Sequence, residues 1–360
     1  MSKNIKKKIG VLTFHYSKYN FGAVLQAYSA RKNIEDLGYE AYLVNYQPIN
    51  KSIKSFVWNL IMSIGGFRFN KFRKQEIPNI LSKTNSFEEL VKLNEKLDGF
   101  VVGSDQVWRY IEDLEVLSTY YLHFVNDDKV KIAYAASFGV DYWPNNKPLE
   151  TGKIKQLAKK FNSISVREDS GVDLCAKHFN VDSVRVLDPT MLVDRNSFLN
   201  MATQKRLCKE KYYAYMMLHN SKKSEKYFRD LAIKQDSKFI RLQGIKFYSP
   251  KMIYFYRSIK DWLSYIRDAE IIITDSFHTV VFATVFKKNF AVISNPINGI
   301  TRLKNLLSMI GEEDKFYDSV DDINLNIFFE QPNYDFINKK IKEEKIESIK
   351  FLKKSLSKVS

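Results

Sequence analysis

Short apolar runs of strand length alternate with stretches of helical period along nearly the whole chain. This alternation restricts the fold more than any other feature. "IGVLTFHY" (9–16), "EAYLVNY" (40–46), "GFVVGSD" (99–105), "KIAYAASFG" (131–139), "NSISVRE" (162–168) and "SVRVLDPT" (183–190) read as strands. Between the first two, "GAVLQAYSARKNIEDLG" (22–38) reads as a helix, with Val24, Leu25, Tyr28, Ile34 and Leu37 near helical spacing and Gly38 as its stop. A second series begins near Lys211, with strands "YYAYMML" (212–218), "KFIRLQG" (238–244), "EIIITDS" (270–276) and "NFAVISN" (289–295) and helices between them. Strands alternating with helices imply parallel sheets.

A chain of 360 residues exceeds a comfortable single core, and two α/β series imply two Rossmann-like domains facing a cleft. The boundary is expected within 192–210, where strand signals lapse. Residues 1–198 form the expected N-terminal domain, with a mixed, basic insertion at 50–97 that ends in a helix after Ser86. Residues 199–333 form the C-terminal domain, and 334–360 a basic helix returning to the first domain.

Composition narrows the class. Hydrophobic residues make up 45% and charged residues 27%, a globular mix. No segment carries the roughly 18 consecutive apolar residues of a membrane span, and "IGVLTF" is too short for a signal-peptide core. Cys175 and Cys208 lie far apart without metal-type spacing, so a reduced, cytoplasmic protein without disulfides or structural zinc is expected. The net charge of +16 attracts anions in general, or simply solvates a lysine-rich surface. No motif or Arg/aromatic array supports nucleic-acid binding. There is no Walker loop, HExxH, CxxC pair, G-x-S-x-G or GxGxxG, and no convincing metal cluster, so metal-free chemistry without a cofactor is expected.

Ligands of such sheets bind beyond the carboxyl ends of the strands, and the polar residues there are few. In "TDSFHT", His278 opens a helix that begins near Ser276. It is either a packed histidine or a proton donor beside an anion site at the helix start, with Phe277 and Thr279. Arg167 follows the strand of "SISVRED", where it either pairs with a neighbouring acid or forks onto a substrate carboxylate. In "VVGSDQVWR", Asp105, Gln106 and Trp108 follow a Gly-Ser turn. Asp105 could cap a helix and Trp108 could be core, but an exposed Trp beside Asp and Gln also suits a sugar. In "FHYSKYNFGAVLQAY", His15, Asn20 and Gly22 bound either an ordinary loop or a phosphate or acceptor loop.

Six segments in this order, "FHYSKYNFGAVLQAYS", "VVGSDQVW", "YAASFG", "SVREDSG", "VLDPTML" and "TDSFHTVVFATVFKKNF", together resemble the polysaccharide pyruvyl transferase family over about residues 9–310. The resemblance implies a two-domain fold like the B-type glycosyltransferases. It also implies transfer of a pyruvyl group from phosphoenolpyruvate to a sugar, commonly as a ketal bridging two hydroxyls. By motif, Arg167 and His278 fall on the donor side and Asp105 near the acceptor; Ser276, Phe277 and Thr279 at the helix start join the donor side, and the strand-end residues His15, Asn20, Gly22, Gln106 and Trp108 the acceptor side. The chain departs from the pattern where some relatives carry an arginine and this one has Ser276. It also departs beyond the next strand, where Asn298 and then Arg302 stand in the region of a second basic ligand; Arg302 is the substitute. The resemblance gives His278 the role of acid or of donor to the leaving phosphate, Arg167 that of carboxylate ligand and Asp105 that of base. The expected acceptor is a lipid-linked or free oligosaccharide. A nucleotide-sugar glycosyltransferase and a non-catalytic carbohydrate- or lipid-surface-binding protein are the rival readings.

Two basic segments raise a further expectation of peripheral contact with the inner face of the membrane. In 51–74, Lys51, Lys54, Arg68, Lys71, Arg73 and Lys74 flank the apolar stretch Phe56–Phe67. The terminal segment carries eight lysines against three glutamates among Ile341, Ile346, Ile349, Leu352 and Leu356. Packing under the cleft and bracing of the two domains are the alternative roles of these segments.

Overall fold

The computed structural model describes residues 6–48, 66–144, 146–219, 221–247, 253–294 and 300–359, with backbone alone for 246, 247, 253 and 254. The first sheet comprises β1 (Lys8–Leu12), β2 (Glu40–Leu43), β3 (Gly99–Val102), β4 (Val130–Ala136), β5 (Ser163–Val166) and β6 (Val184–Arg185). They run parallel in the order β2-β1-β3-β4-β5-β6. The second sheet comprises β7 (Tyr212–Met216), β8 (Lys238–Arg241), β11 (Ile271–Thr274), β12 (Asn289–Ile293) and β13 (Phe316–Tyr317), also parallel, in the order β13-β12-β11-β7-β8. A short antiparallel pair, β9 (Gly244–Phe247) and β10 (Ile253–Tyr256), stands apart and is not among the strands expected from the sequence.

Local chemistry explains the central elements. The strand β11 is Ile-Ile-Ile-Thr, wholly buried and paired on both edges, as a β-branched run in a parallel sheet should be. The helix that follows it, Phe277–Val285, is apolar on almost every side, and its eight residues from Phe277 to Thr284 are buried. It stops where Phe286 closes the last turn and Lys287 enters the left-handed region at φ 57°. In the first sheet, Asn20 caps the helix Phe21–Asp36 by accepting from Ala23 N at 3.0 Å.

Both sheets have the same switch in strand order. The first strand of each, β1 and β7, lies between the second strand (β2, β8) and a later one (β3, β11). A crevice opens between loops that leave in opposite directions at such a point. Residues 13–22 and 103–108 therefore border one crevice, and residues 217–219 and 275–278 border the other.

The final helix, Tyr334–Leu356, lies against the first sheet: Ser348 Oγ accepts from Leu187 N at 2.9 Å, and just beyond the helix end Lys358 Nζ donates to Asn162 O at 2.6 Å. Leu352 and Leu356 are buried, and Ile341 and Ile349 pack on the same core, so most of its apolar stripe is turned inward; Ile346 is exposed. The stretch Phe56–Phe67 lies almost wholly outside the described residues. Of its basic flank, Arg73 is not a surface cation. It is buried and donates from Nη1 to His15 O at 2.8 Å and Ser17 O at 2.7 Å. Among the described residues no helix is long and apolar enough to cross a membrane.

Candidate active site

The two crevices face each other across a cavity of ≈ 170 Å³. Asn20, Gly22, Asp105 and Gln106 line it from the first sheet, and Ser276, Phe277, His278 and Arg302 from the second. The starts of two helices, Phe21–Asp36 and Phe277–Val285, therefore border the same space. Ser276 gives the second helix no side-chain cap, and its own N–H donates to Thr274 Oγ1 at 2.9 Å.

His278 packs edge-on against Gly22. A Cβ at position 22 would lie 2.3 Å from His278 Nδ1, so this glycine is the slot that admits the imidazole. On the other side of the ring, Nε2 stands 3.5 Å from Asp188 Oδ2. Asp188 is fully buried at the end of the first sheet, two residues beyond Val186. Its Oδ2 accepts from Arg167 Nη1 at 2.9 Å and from Ser104 Oγ at 2.8 Å. Its Oδ1 accepts from Thr190 N at 3.0 Å and Thr190 Oγ1 at 2.6 Å. Burial alone would push this carboxyl up, but the His278 imidazole, the Arg167 guanidinium and the Thr190 hydroxyl hold it well below the usual carboxylate range.

Arg167 does not line the main cavity. It lines a smaller void of ≈ 20 Å³ that shares Phe277 and Arg302 with it. Its guanidinium lies 4.3 Å from the centroid of the Phe277 ring, a cation–π contact from one sheet to the other. Its Nη2 has no hydrogen-bond partner among the described residues, and its Nε stands 4.0 Å from Glu168 Oε2. Arg302, on the helix Thr301–Ile310, is buried; its guanidinium is pushed down to about 10 by burial and by Arg167, and so remains charged at neutral pH. Glu168 braces the floor: its Oε1 accepts from Ser137 Oγ at 2.9 Å, Phe138 N at 2.8 Å and Gly139 N at 3.2 Å.

Asp105 stands at the cavity wall in the left-handed region at φ 80°, with Oδ1 accepting from Gln106 N at 2.9 Å. A turn, not a helix, follows it. Gln106 is held by Arg109, whose Nη1 donates to its Oε1 at 3.0 Å.

Besides Arg167, three expected site residues do not reach the cavity. Trp108 is core: it is 0% exposed, stacks on Tyr121 at 4.7 Å and donates from Nε1 to Tyr120 O. The turn at Asp105 folds the chain back, with Trp108 N donating to Ser137 O, and this carries the indole inward. His15 is buried, its ring nitrogens within 3.1 Å of Thr13 O and Asn45 Oδ1, and burial lowers its pKa. Thr279 is fully buried and lines no part of the cavity. Conversely, the sequence reading assigned no role to Asp188, Ser104 or Tyr19. Tyr19 is 45% exposed at the cavity wall, its ring 5.9 Å from that of Tyr256.

A model of the polysaccharide pyruvyl transferase family matches residues 20–296. No curated protein matches the sequence. Among solved structures, the chain is similar to the UDP-GlcNAc 2-epimerase from Neisseria meningitidis bound to UDP-GlcNAc, with TM-score 0.52 and 11% identity over 98% of this chain and 100% of that one. It is also similar to the UDP-GlcNAc 2-epimerase from Methanocaldococcus jannaschii, with TM-score 0.50 and 12% identity over 94% and 92%. At such identities the likeness concerns the fold alone, two facing Rossmann-like domains of the B-type glycosyltransferase architecture.

Proposed function

Since the chain belongs to the polysaccharide pyruvyl transferase family, we propose that it transfers the pyruvyl group of phosphoenolpyruvate to two hydroxyls of one sugar in a cell-surface polysaccharide precursor, forming a ketal and releasing phosphate. The observation that supports this reading most directly is the convergence of a histidine and two helix starts on one cavity, with two buried arginines at or beside it. Such a setting suits a small donor carrying both a carboxylate and a phosphate.

In this reading, the open N–H groups of Arg167 Nη2 take the donor carboxylate, and Arg302 with the start of the helix Phe277–Val285 takes the phosphate. His278 delivers a proton to the methylene carbon, which becomes a methyl group and leaves the central carbon electrophilic. One sugar hydroxyl adds there as Asp105 accepts its proton. Phosphate then departs with the bridging oxygen, and the second hydroxyl closes the ring. Of the two hydroxyl protons, one ends on the methyl carbon and the other on phosphate, so atoms and charge balance. An acceptor carried on a membrane lipid would bring the protein to the inner face of the membrane. No cofactor is required by this scheme.

The test is phosphate release from phosphoenolpyruvate with lipid-linked and model glycosides as acceptors, in the wild type and in His278→Ala. Loss of at least about 100-fold in a folded variant is expected, the usual scale for a positioned acid or base. Turnover close to wild type in His278→Ala would remove the imidazole from the chemistry. A second reading, glycosyl transfer from a nucleotide sugar, is favoured by the likeness to an epimerase solved with UDP-GlcNAc bound. Titration decides between them: binding of UDP-sugars without binding of phosphoenolpyruvate selects the second.

A further inference from the structure

Asp188 does more than an N-cap requires. A capping side chain needs one oxygen and no charge, so Asn or Ser would serve. Oδ1 of Asp188 already performs that task with Thr190. The second oxygen gathers groups from three strand ends: Ser104 beyond β3, Arg167 beyond β5, and His278 beyond β11 in the other sheet. A fully buried carboxylate carries a large desolvation penalty, which only well-placed donors offset. Pairing with Arg167 accounts for the charge. It does not account for an imidazole from the opposite sheet directed at the same oxygen, with its far edge against the one residue, Gly22, that has no side chain to exclude it.

We propose that Asp188 is a positioning residue for the transfer reaction: its Oδ2 receives the Nε2–H of His278 in both the neutral and the protonated ring, so that the proton delivered to the donor is the one taken up at Nδ1, on the Gly22 side of the ring. The same oxygen anchors Nη1 of Arg167, so one buried carboxylate sets the orientation of a histidine and an arginine across the interface. In a histidine, the bond made by one ring nitrogen determines the state of the other. The 3.5 Å separation is long for a finished hydrogen bond, as such bonds often are before substrate arrives. Asp188 touches no part of the main cavity and acts through its two neighbours.

The kinetic part of this inference rests on the proposed function, whereas the tautomer can be read without any substrate. The chain has five histidines, so ¹⁵N-histidine labelling gives few enough ring signals to assign, with His278→Gln identifying the relevant pair. The wild type at a pH where the ring is neutral should show His278 protonated on Nε2. In Asp188→Asn, the amide oxygen stays with Thr190 and the NH₂ group turns toward His278, a donor facing a donor. The tautomer should invert to Nδ1–H, and kcat should fall by at least about 100-fold with donor KM raised and acceptor KM little changed. A Nδ1–H tautomer in the wild type overturns the proposal, and so does an unchanged tautomer in Asp188→Asn. If Asp188→Asn does not fold, the wild-type spectrum alone decides. If the wild type turns over no phosphoenolpyruvate, the proposed function fails while the tautomer result still judges Asp188.

Discussion

Gly22→Ala sets two physical effects against each other. Residue 22 lies in the first turn of the helix Phe21–Asp36, where Ala is a better helix former than Gly by about 1 kcal/mol. Judged on the helix alone, the variant gains stability. The structure predicts otherwise. The added Cβ would fall 2.3 Å from His278 Nδ1, 2.4 Å from Cγ and 2.8 Å from Cβ, where ordinary van der Waals contact begins at 3.4 Å. Because His278 Cβ is itself too close, rotating the ring does not clear the clash, and one helix must move relative to the other by roughly 1 Å. Overpacking of this kind costs about 1–3 kcal/mol, so after the helix gain the net destabilisation is about 0–2 kcal/mol. A displacement of about 1 Å at a reacting group can lower the rate by about 100-fold. The expected signature is a large loss of kcat in a protein of nearly normal stability. Urea unfolding and phosphate release on the same preparation measure both. Gly38→Ala is the control: Gly38 has φ 95° and nothing within 4 Å of a Cβ, so strain should lower stability and leave kcat alone. Wild-type turnover in Gly22→Ala, with stability raised by the full helix gain, would show that the imidazole does not occupy that slot.

Arg167→Lys keeps the charge and loses the planar fork, so donor KM should rise strongly in steady-state kinetics; a rise confined to acceptor KM contradicts the assignment. Trp108→Ala should destabilise by about 3–5 kcal/mol in urea unfolding, the usual scale for an emptied aromatic site, while acceptor KM of the folded protein stays put; a selective acceptor defect would return Trp108 to the sugar site. Burial lowers the pKa of His15, so below its unfolded value of 6.5 the unfolded chain binds the extra proton. Its contribution to stability is therefore complete above that pH and lost as pH falls through the lower folded value. His15→Gln should flatten the stability profile on the acid side of pH 6.5, and an unchanged slope there refutes the assignment.

Much of the architecture is legible because it depends on local chemistry. The run Ile271–Thr274 can hardly be other than a buried strand, and Asn20 before an apolar-periodic stretch marks a helix start. Strand ends then indicate where a ligand should bind, and Asn20, Gly22, Asp105, Gln106, Ser276, Phe277, His278 and Arg302 do converge there. Direction is a different matter. His15 and Trp108 also follow strands, yet one lies beneath Arg73 and the other beside Tyr121, because loops that turn back send side chains into the core. The strand near Asp188 is shorter than the apolar run 183–190 suggests: β6 has two residues, and the polar turn around Asp188 and Pro189 takes over from it.

The residues that sequence reasoning passed over share one property: their reason for being there lies on another element. In "VLDPT", Asp188 looks like a helix cap, and half of it is one; the other oxygen answers to His278, 90 positions later, and to Arg167 on a third element. Gly22 looks like a loop glycine, yet it sits within a helix at negative φ, where backbone freedom explains nothing. Only the imidazole across the interface explains it. A site assembled between two sheets divides each requirement between partners distant in sequence. Each half then resembles ordinary local chemistry, a cap or a turn glycine. The misleading residue is therefore the one whose local explanation is sufficient but leaves an atom over. For Asp188 the surplus is a charged oxygen; for Gly22 it is a missing Cβ. Both surpluses meet at the same imidazole, and that coincidence is why His278, rather than Asp105 or the more exposed Tyr19, is the group to which the rest of the site is fitted.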